Sequence, residues 1–241
     1  MKYMKKKIIL SKNCSKKTRS KKNIKFVIIH YTGMQSEIES IQRLIDPTSM
    51  VSTHYLINRK GVIVQMVKDN KIAWHAGKSK WKNFKNLNDK SIGIELVNSG
   101  HDYVYENFSK SQINSLIKLC NFLKKRYKIK KDNFLGHSDV APLRKKDPGE
   151  KFPWKKLSKF KIGIWYSSLN KKLDLRRKKN LEALFFQNLY KIGYRYFNTR
   201  KRSKTDKKII ICFQQHYMPM QISGKIDKKT LKISHYLANR T

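Results

Sequence analysis

Apolar and polar residues alternate along this chain at two spacings. The run IKFVIIHY at 24–31 is almost continuously apolar and rich in β-branched residues, which predicts a buried strand with His30 at its end. Ile38, Ile41, Leu44 and Ile45 recur at helical spacing within 36–45. THYLIN (53–58) and VIVQMV (62–67) read as strands, and Arg59-Lys60-Gly61 between them makes a plausible hairpin turn. SIGIELVN (91–98) is a further strand carrying a single acid, Glu95. Residues 109–127 form an amphipathic helix that Ser109 or Ser111 would cap. Strands interleaved with helices predict an α/β domain, and three short helices follow at 181–194, 208–217 and 228–239. The resulting division is a basic arm (1–22), a catalytic-sized domain (23–168), a charged linker (169–180) and a small helical domain (181–241).

With 39% hydrophobic and 11% aromatic residues the chain can bury a core, which excludes a disordered tail. A formal charge of +40 favours polyanionic partners, but lysine is spread along the whole chain and marks no particular face. Cys14, Cys120 and Cys212 are scattered and odd in number, which argues against a disulfide framework. No apolar run of the length a secretory leader needs follows the N-terminal lysines, and no segment approaches a membrane span. A cytoplasmic location is therefore expected, or a periplasmic one if the chain was trimmed or is exported by another route.

The segment LGHSDVAPLRKKDPGEKFPW (135–154) holds His137 and Asp147 on a turn-rich loop, where Pro142 and Pro148 forbid a regular helix. Alone, one histidine and one aspartate on such a loop read as surface. Combined with His30 at the rim of the sheet, they offer two imidazole nitrogens and a carboxylate, a set that suits Zn²⁺ with a fourth position open. An open position marks a catalytic rather than a structural ion. Glu95, a lone carboxylate on an otherwise uncharged strand, is the candidate acid–base group, and Lys145 the candidate to stabilise an oxyanion.

The ordered segments VIIHYTG, VSTHYLINRKGVIVQMV, AWHAG, SIGIELVN and GHSDVAPLRKKDPGEKFPW resemble the zinc-dependent N-acetylmuramoyl-L-alanine amidases, relatives of phage lysozyme-type amidases and peptidoglycan recognition proteins. The resemblance covers roughly residues 22–157. It implies a mixed central β-sheet flanked by helices, one Zn²⁺ on His30, His137 and Asp147, and catalysis by Glu95 and Lys145. The substrate would be peptidoglycan or muropeptides, and the protein a monomer. Phage-type relatives carry a tyrosine where this chain has Thr53 and a cysteine where it has Asp147, departures that favour the bacterial branch. Residues Leu189, Ile192-Gly193-Tyr194, Phe213-Gln214, Gly224, Asp227 and Thr230 resemble a three-helix peptidoglycan-binding module. On that reading, a chain ending near Ser168 keeps its activity on a soluble fragment.

Other positions admit two readings. His54 is either a hydrogen-bonded sheet residue or faces substrate, and Trp74 and His75 line the cleft or simply pack. Asp139 is expected to make a local turn or cap. His101 is expected in an exposed turn, His216 at the surface or in a partial core, and the basic N-terminus as a solvated arm. A non-catalytic recognition protein of the same fold would lack a ligand or the glutamate, and this chain has them all. A nucleic-acid-binding protein would concentrate basic residues among aromatics on one face, and the sequence shows no such stripe.

Overall fold

The period-two pattern of the central strands places the long helix Lys110–Tyr127 on one face of a sheet and the candidate site residues on the other. The structure, a computed structural model, describes residues 6–167 and 180–240. In chain order the strands are β1 (Lys6–Ile8), β2 (Cys14–Thr18), β3 (Phe26–Tyr31), β4 (Tyr55–Ile57), β5 (Ile63–Gln65), β6 (Lys71–Ala73), β7 (Lys80–Trp81), β8 (Phe84–Lys85), β9 (Ser91–Leu96) and β10 (Phe134–Gly136). The helices are α1 (Glu37–Ile45), α2 (Lys110–Tyr127), α3 (His137–Val140), α4 (Trp154–Ser158), α5 (Leu181–Ile192), α6 (Asp206–Tyr217) and α7 (Lys228–Ala238). The main sheet runs β1-β5-β4-β9-β3-β10, parallel throughout except for the β4–β5 hairpin. No helix among the described residues is long and apolar enough to cross a membrane.

Successive side chains on a strand point to opposite faces. Val27 and Ile29 of β3, with Ile92, Ile94 and Leu96 of β9, pack against Leu116, Leu119 and Leu123 of α2. Phe26 and Ile28 point the other way, into a cluster that includes Leu135, Val140 and the C-terminal residues Phe186, Leu189, Phe213 and Leu231. His30 continues that second register, and it pairs directly with Glu95 on β9. The sheet thus aims both groups at one side.

Residues 6–19 are not a solvated arm. β1 extends the main sheet beside β5, and β2 pairs antiparallel with β6. Arg19 is buried and donates to the carbonyls of Asp69, Asn88 and Ser91, while the Asn13 amide donates to those of Asp46 and Val51. The segment is held by hydrogen bonds rather than apolar burial, so hydrophobic periodicity does not signal it.

The C-terminal helices form where the pattern predicts, with Asn180 capping α5 and Asp227 capping α7. They share a core with the sheet. Trp81 lies against Gly193, where a Cβ would come within 2.4 Å of the indole, and the glycine's φ of +141° is one that other residues rarely adopt. The Lys82 N–H donates to the Gly193 carbonyl at 2.8 Å. Removing these helices would bare Phe26, Ile28 and Trp81, which revises the expectation that a chain ending near Ser168 stays active. The proposed linker lies outside the described residues except for Asn180.

Candidate metal centre and cleft

His30 leaves the C-terminal end of β3, and His137 opens the single helical turn α3 directly after β10, the neighbouring strand. The 135–154 segment therefore does contain one turn of helix, where a loop was expected. It ends at Ala141 because Pro142 has no N–H to continue it. The Ser138 N–H donates to the Asp147 carbonyl at 2.8 Å, which folds the far end of the segment back onto its start.

Three buried donor atoms converge here. His30 Nδ1, His137 Nδ1 and Asp147 Oδ2 lie 3.0 Å from one another along all three edges. Among the described residues this is the grouping of His, Cys and acids able to hold an ion. His137 Nε2 faces the Ala76 carbonyl at 3.2 Å, and a carbonyl can only accept; the Arg144 guanidinium donates to the same oxygen. Arg144 Nη2 also lies 3.3 Å from His137 Nε2, but its two protons point to the Ala76 and Lys78 carbonyls, so the imidazole proton belongs on Nε2 and Nδ1 presents a lone pair to a carboxylate oxygen. Two acceptors at 3.0 Å repel unless a cation lies between them. A triangle of this size has a circumradius of roughly 1.7 Å, so all three atoms would be within the bond lengths of about 2.0–2.2 Å that Zn²⁺ takes with nitrogen and oxygen. The donor set fits zinc.

Burial dominates the electrostatics. It lowers the His30 pKa to about 4, reinforced by His137 and opposed by Asp147, so the ring stays neutral. Burial alone would raise Asp147, but the His137 and His30 rings 3.0 Å from its Oδ2 hold it well below the usual carboxylate range. Glu95 is raised well above its ordinary value by burial and by Asp147, against the pull of Lys145. Its Oε2 is buried without a hydrogen-bond partner, which leaves a carboxyl oxygen free for a ligand.

A cleft of about 560 Å³ opens over this cluster, lined by His30, Glu95, His137, Lys145 and Asp147 among others. Trp74 stands half-buried in its wall. His75 lies in the floor behind His30, with Nδ1 3.1 Å from His30 Nε2, and burial beside His30 holds it well below its usual pKa. His54 does not reach the cleft. It is fully buried in the sheet, accepts from the Gly93 N–H through Nδ1, and lies 2.8 Å from Arg19.

Two other expectations change and a third is extended. His101 is only partly exposed, bonded to the Tyr31 hydroxyl at 2.9 Å and to Glu150 at 3.0 Å. His216 is buried, stacked on Trp154 with ring centroids 4.2 Å apart and facing Asp139 at 2.9 Å. Asp139 does cap locally, accepting the Gly136 N–H at 2.7 Å, but its carboxyl also accepts from the Tyr194 hydroxyl at 2.5 Å. Sequence reading missed Arg43 and Arg144 in the cleft wall. One arginine on a helix face and one in a basic run carry no signal of their own in a chain this rich in cations.

Comparison with known proteins places these features. A family model described as N-acetylmuramoyl-L-alanine amidase matches residues 20–150. The N-acetylmuramoyl-L-alanine amidase AmiD of Escherichia coli is 34% identical over 232 residues, covering 90% of this chain and 83% of that protein. A structure of AmiD with the substrate anhydro-N-acetylmuramic acid-L-Ala-D-γ-Glu-L-Lys superposes with a TM-score of 0.80 at 32% identity, over 94% of this chain and 92% of that one. The 1,6-anhydro-N-acetylmuramyl-L-alanine amidase AmpD of Haemophilus influenzae is 37% identical over 152 residues, 56% of this chain and 80% of that protein.

Proposed function

Because the chain belongs to the N-acetylmuramoyl-L-alanine amidase family, we propose that it is a zinc enzyme hydrolysing the amide between N-acetylmuramic acid, or its anhydro form, and L-alanine in peptidoglycan or muropeptides. The observation that carries this reading is the triangle of His30, His137 and Asp147 beneath an open cleft, with Glu95 in register beside His30. AmiD, complexed with an anhydro-muropeptide, supports the choice of substrate class.

His30, His137 and Asp147 would hold the ion, which when bound would supply Lewis acidity to the scissile carbonyl and acidity to water. Glu95 takes a proton from the attacking water and delivers it to the departing amine of L-alanine. Burial raises its proton affinity, which favours the uptake half of that transfer. The Lys145 ammonium, in the same cleft, stabilises the carbonyl oxygen as negative charge develops. The half-buried Trp74 offers an apolar face to a sugar ring or a peptide side chain.

The test is product analysis on an anhydro-muropeptide. The expected products are the free anhydro-sugar acid and a peptide with a new L-alanine amino terminus, lost on chelation and restored by zinc. Cleavage at another bond, or activity indifferent to a chelator, overturns the reading.

A further inference from the structure

We propose that His75, itself oriented by Ser91, is a positioning residue that keeps the His30 proton on Nε2 and so leaves Nδ1 bare for the metal. The proposal rests on the reading of His30 as a ligand.

The polarity of the chain of hydrogen bonds is set at its far end. The Leu87 carbonyl can only accept, and Ser91 Oγ lies 2.6 Å from it, so the hydroxyl commits its single proton there. Only lone pairs of Ser91 Oγ remain to face His75 Nε2 at 3.2 Å, which makes that nitrogen the donor. A neutral imidazole carries one such proton, so His75 Nδ1 is an acceptor. It faces His30 Nε2 at 3.1 Å, and His30 must donate. One carbonyl thus fixes, through two side chains, which nitrogen of His30 can bind a cation. His137 obtains the same result directly from the Ala76 carbonyl. The two ligands reach one tautomer by different routes.

The ring of His75 is held for this task. Its backbone N–H donates to Asn88 Oδ1 at 3.2 Å. Its side chain crosses β9 at Gly93, where an added Cβ would fall 2.5 Å from His75 Cγ. Glycine leaves the slot that the imidazole fills, two residues before Glu95. The rival account is that His75 merely fills this slot.

Two substitutions separate the accounts. In His75→Asn the side-chain oxygen stands where Nδ1 stood, so an acceptor remains although volume is lost. His75→Leu keeps volume and removes the acceptor. Zinc affinity of the full chain, measured by competition with a chromophoric chelator, should fall about 10–100-fold in the leucine variant and stay within about threefold in the asparagine variant. Ser91→Ala should lie between them. Imidazole ¹⁵N spectra of the metal-free full chain should show His30 protonated on Nε2 in the parent and the asparagine variant, and a mixture in the leucine variant. Packing alone predicts the reverse order, with leucine tolerated and asparagine not, and that result overturns the proposal. A His30 proton found on Nδ1 in the parent does the same. His30→Ala serves as the control on the premise: if it binds zinc as tightly as the parent, the ligand assignment itself fails. Should the leucine variant not fold, the order of asparagine, Ser91→Ala and parent decides.

Discussion

The metal cleft and the C-terminal helices are built from opposite materials. In the cleft, His30, His75, His137 and Asp147 are buried polar groups, each held in place by another polar group. In the helices, Phe185, Leu189, Phe213 and Leu231 are buried apolar groups held by packing, with Phe185 and Phe213 edge-to-face at 5.4 Å. Apolar packing tolerates adjustment at a cost in stability, whereas a donor triangle works only if each atom points at one place. The regions nevertheless meet. Asp139, two residues from His137, receives Tyr194 from beyond α5 and His216 from α6. The helices therefore brace the turn that carries His137, a proposed metal ligand. The residues resembling a peptidoglycan-binding motif are largely core here: Leu189, Ile192, Tyr194, Phe213, Gln214 and Thr230 are all buried. A wall contact, if the unit makes one, belongs to other side chains.

The largest effect should come from removing one region altogether. A chain ending at residue 167 loses the packing partners of Phe26, Ile28 and Trp81 and two of the groups bonded to Asp139. It should lose activity on soluble muropeptide and on sacculi together, with its cooperative melting transition lowered or absent. Loss confined to sacculi, with normal melting, would mean the two regions are separable after all.

Next is Glu95→Gln, which alters the cleft without touching the helices. Turnover should drop roughly 10²–10⁴-fold while zinc content and melting temperature hold. A near-normal rate would move the acid–base role to another group.

How far the sequence discloses each region follows from the same contrast. The helices, the β4–β5 hairpin and the two long strands are legible because apolar spacing encodes them. The cleft is legible in His30, Glu95, His137, Lys145 and Asp147 because unusual residues stand at the ends of apolar runs or on a proline-stiffened segment, and because the ordered motifs resemble a family. β1 and β2 are not legible, being backbone-paired and lysine-rich. Neither is the role of His216, whose partner Asp139 is 77 positions away in sequence. Hydrogen bonds between distant polar groups leave no periodic trace. His54 and His75 follow from the same limit: both stand in ordered motifs, but only the fold tells a sheet residue from one behind a ligand.

Acid should strain the cleft before the helices. In the metal-free protein His30 is folded with a pKa near 4, against an ordinary value of 6.5. Between those values the unfolded chain binds the proton and the folded one does not, so the His30 contribution to stability falls as pH drops from about 6.5 to 4 and is fully present above that window. Melting curves of chelated protein across this range should fall more steeply for the parent than for His30→Asn, which lacks that imidazole, because the buried His54, His75 and Glu95 titrate in both. Parent and His30→Asn curves that run parallel from pH 6.5 to 4 would rule out a neutral buried His30.

The smallest expected effect tests the seam itself. Tyr194→Phe deletes only the hydroxyl that donates to Asp139, leaving the ring packed near Trp81 at a centroid distance of 4.9 Å. Asp139 keeps the Gly136 N–H and His216, so the carboxyl is not orphaned. The cost should be about 0.5–1.5 kcal/mol of stability, that of one hydrogen bond without a stranded partner. If the helices brace the His137 turn, zinc affinity should also weaken by a few-fold, because the turn gains freedom that binding must remove. Glu95→Gln, by contrast, should not lower stability, because burial already works against that carboxylate. A Tyr194→Phe protein that loses stability and keeps its full zinc affinity would show that the helices support the fold of the sheet but not the placement of its metal ligands.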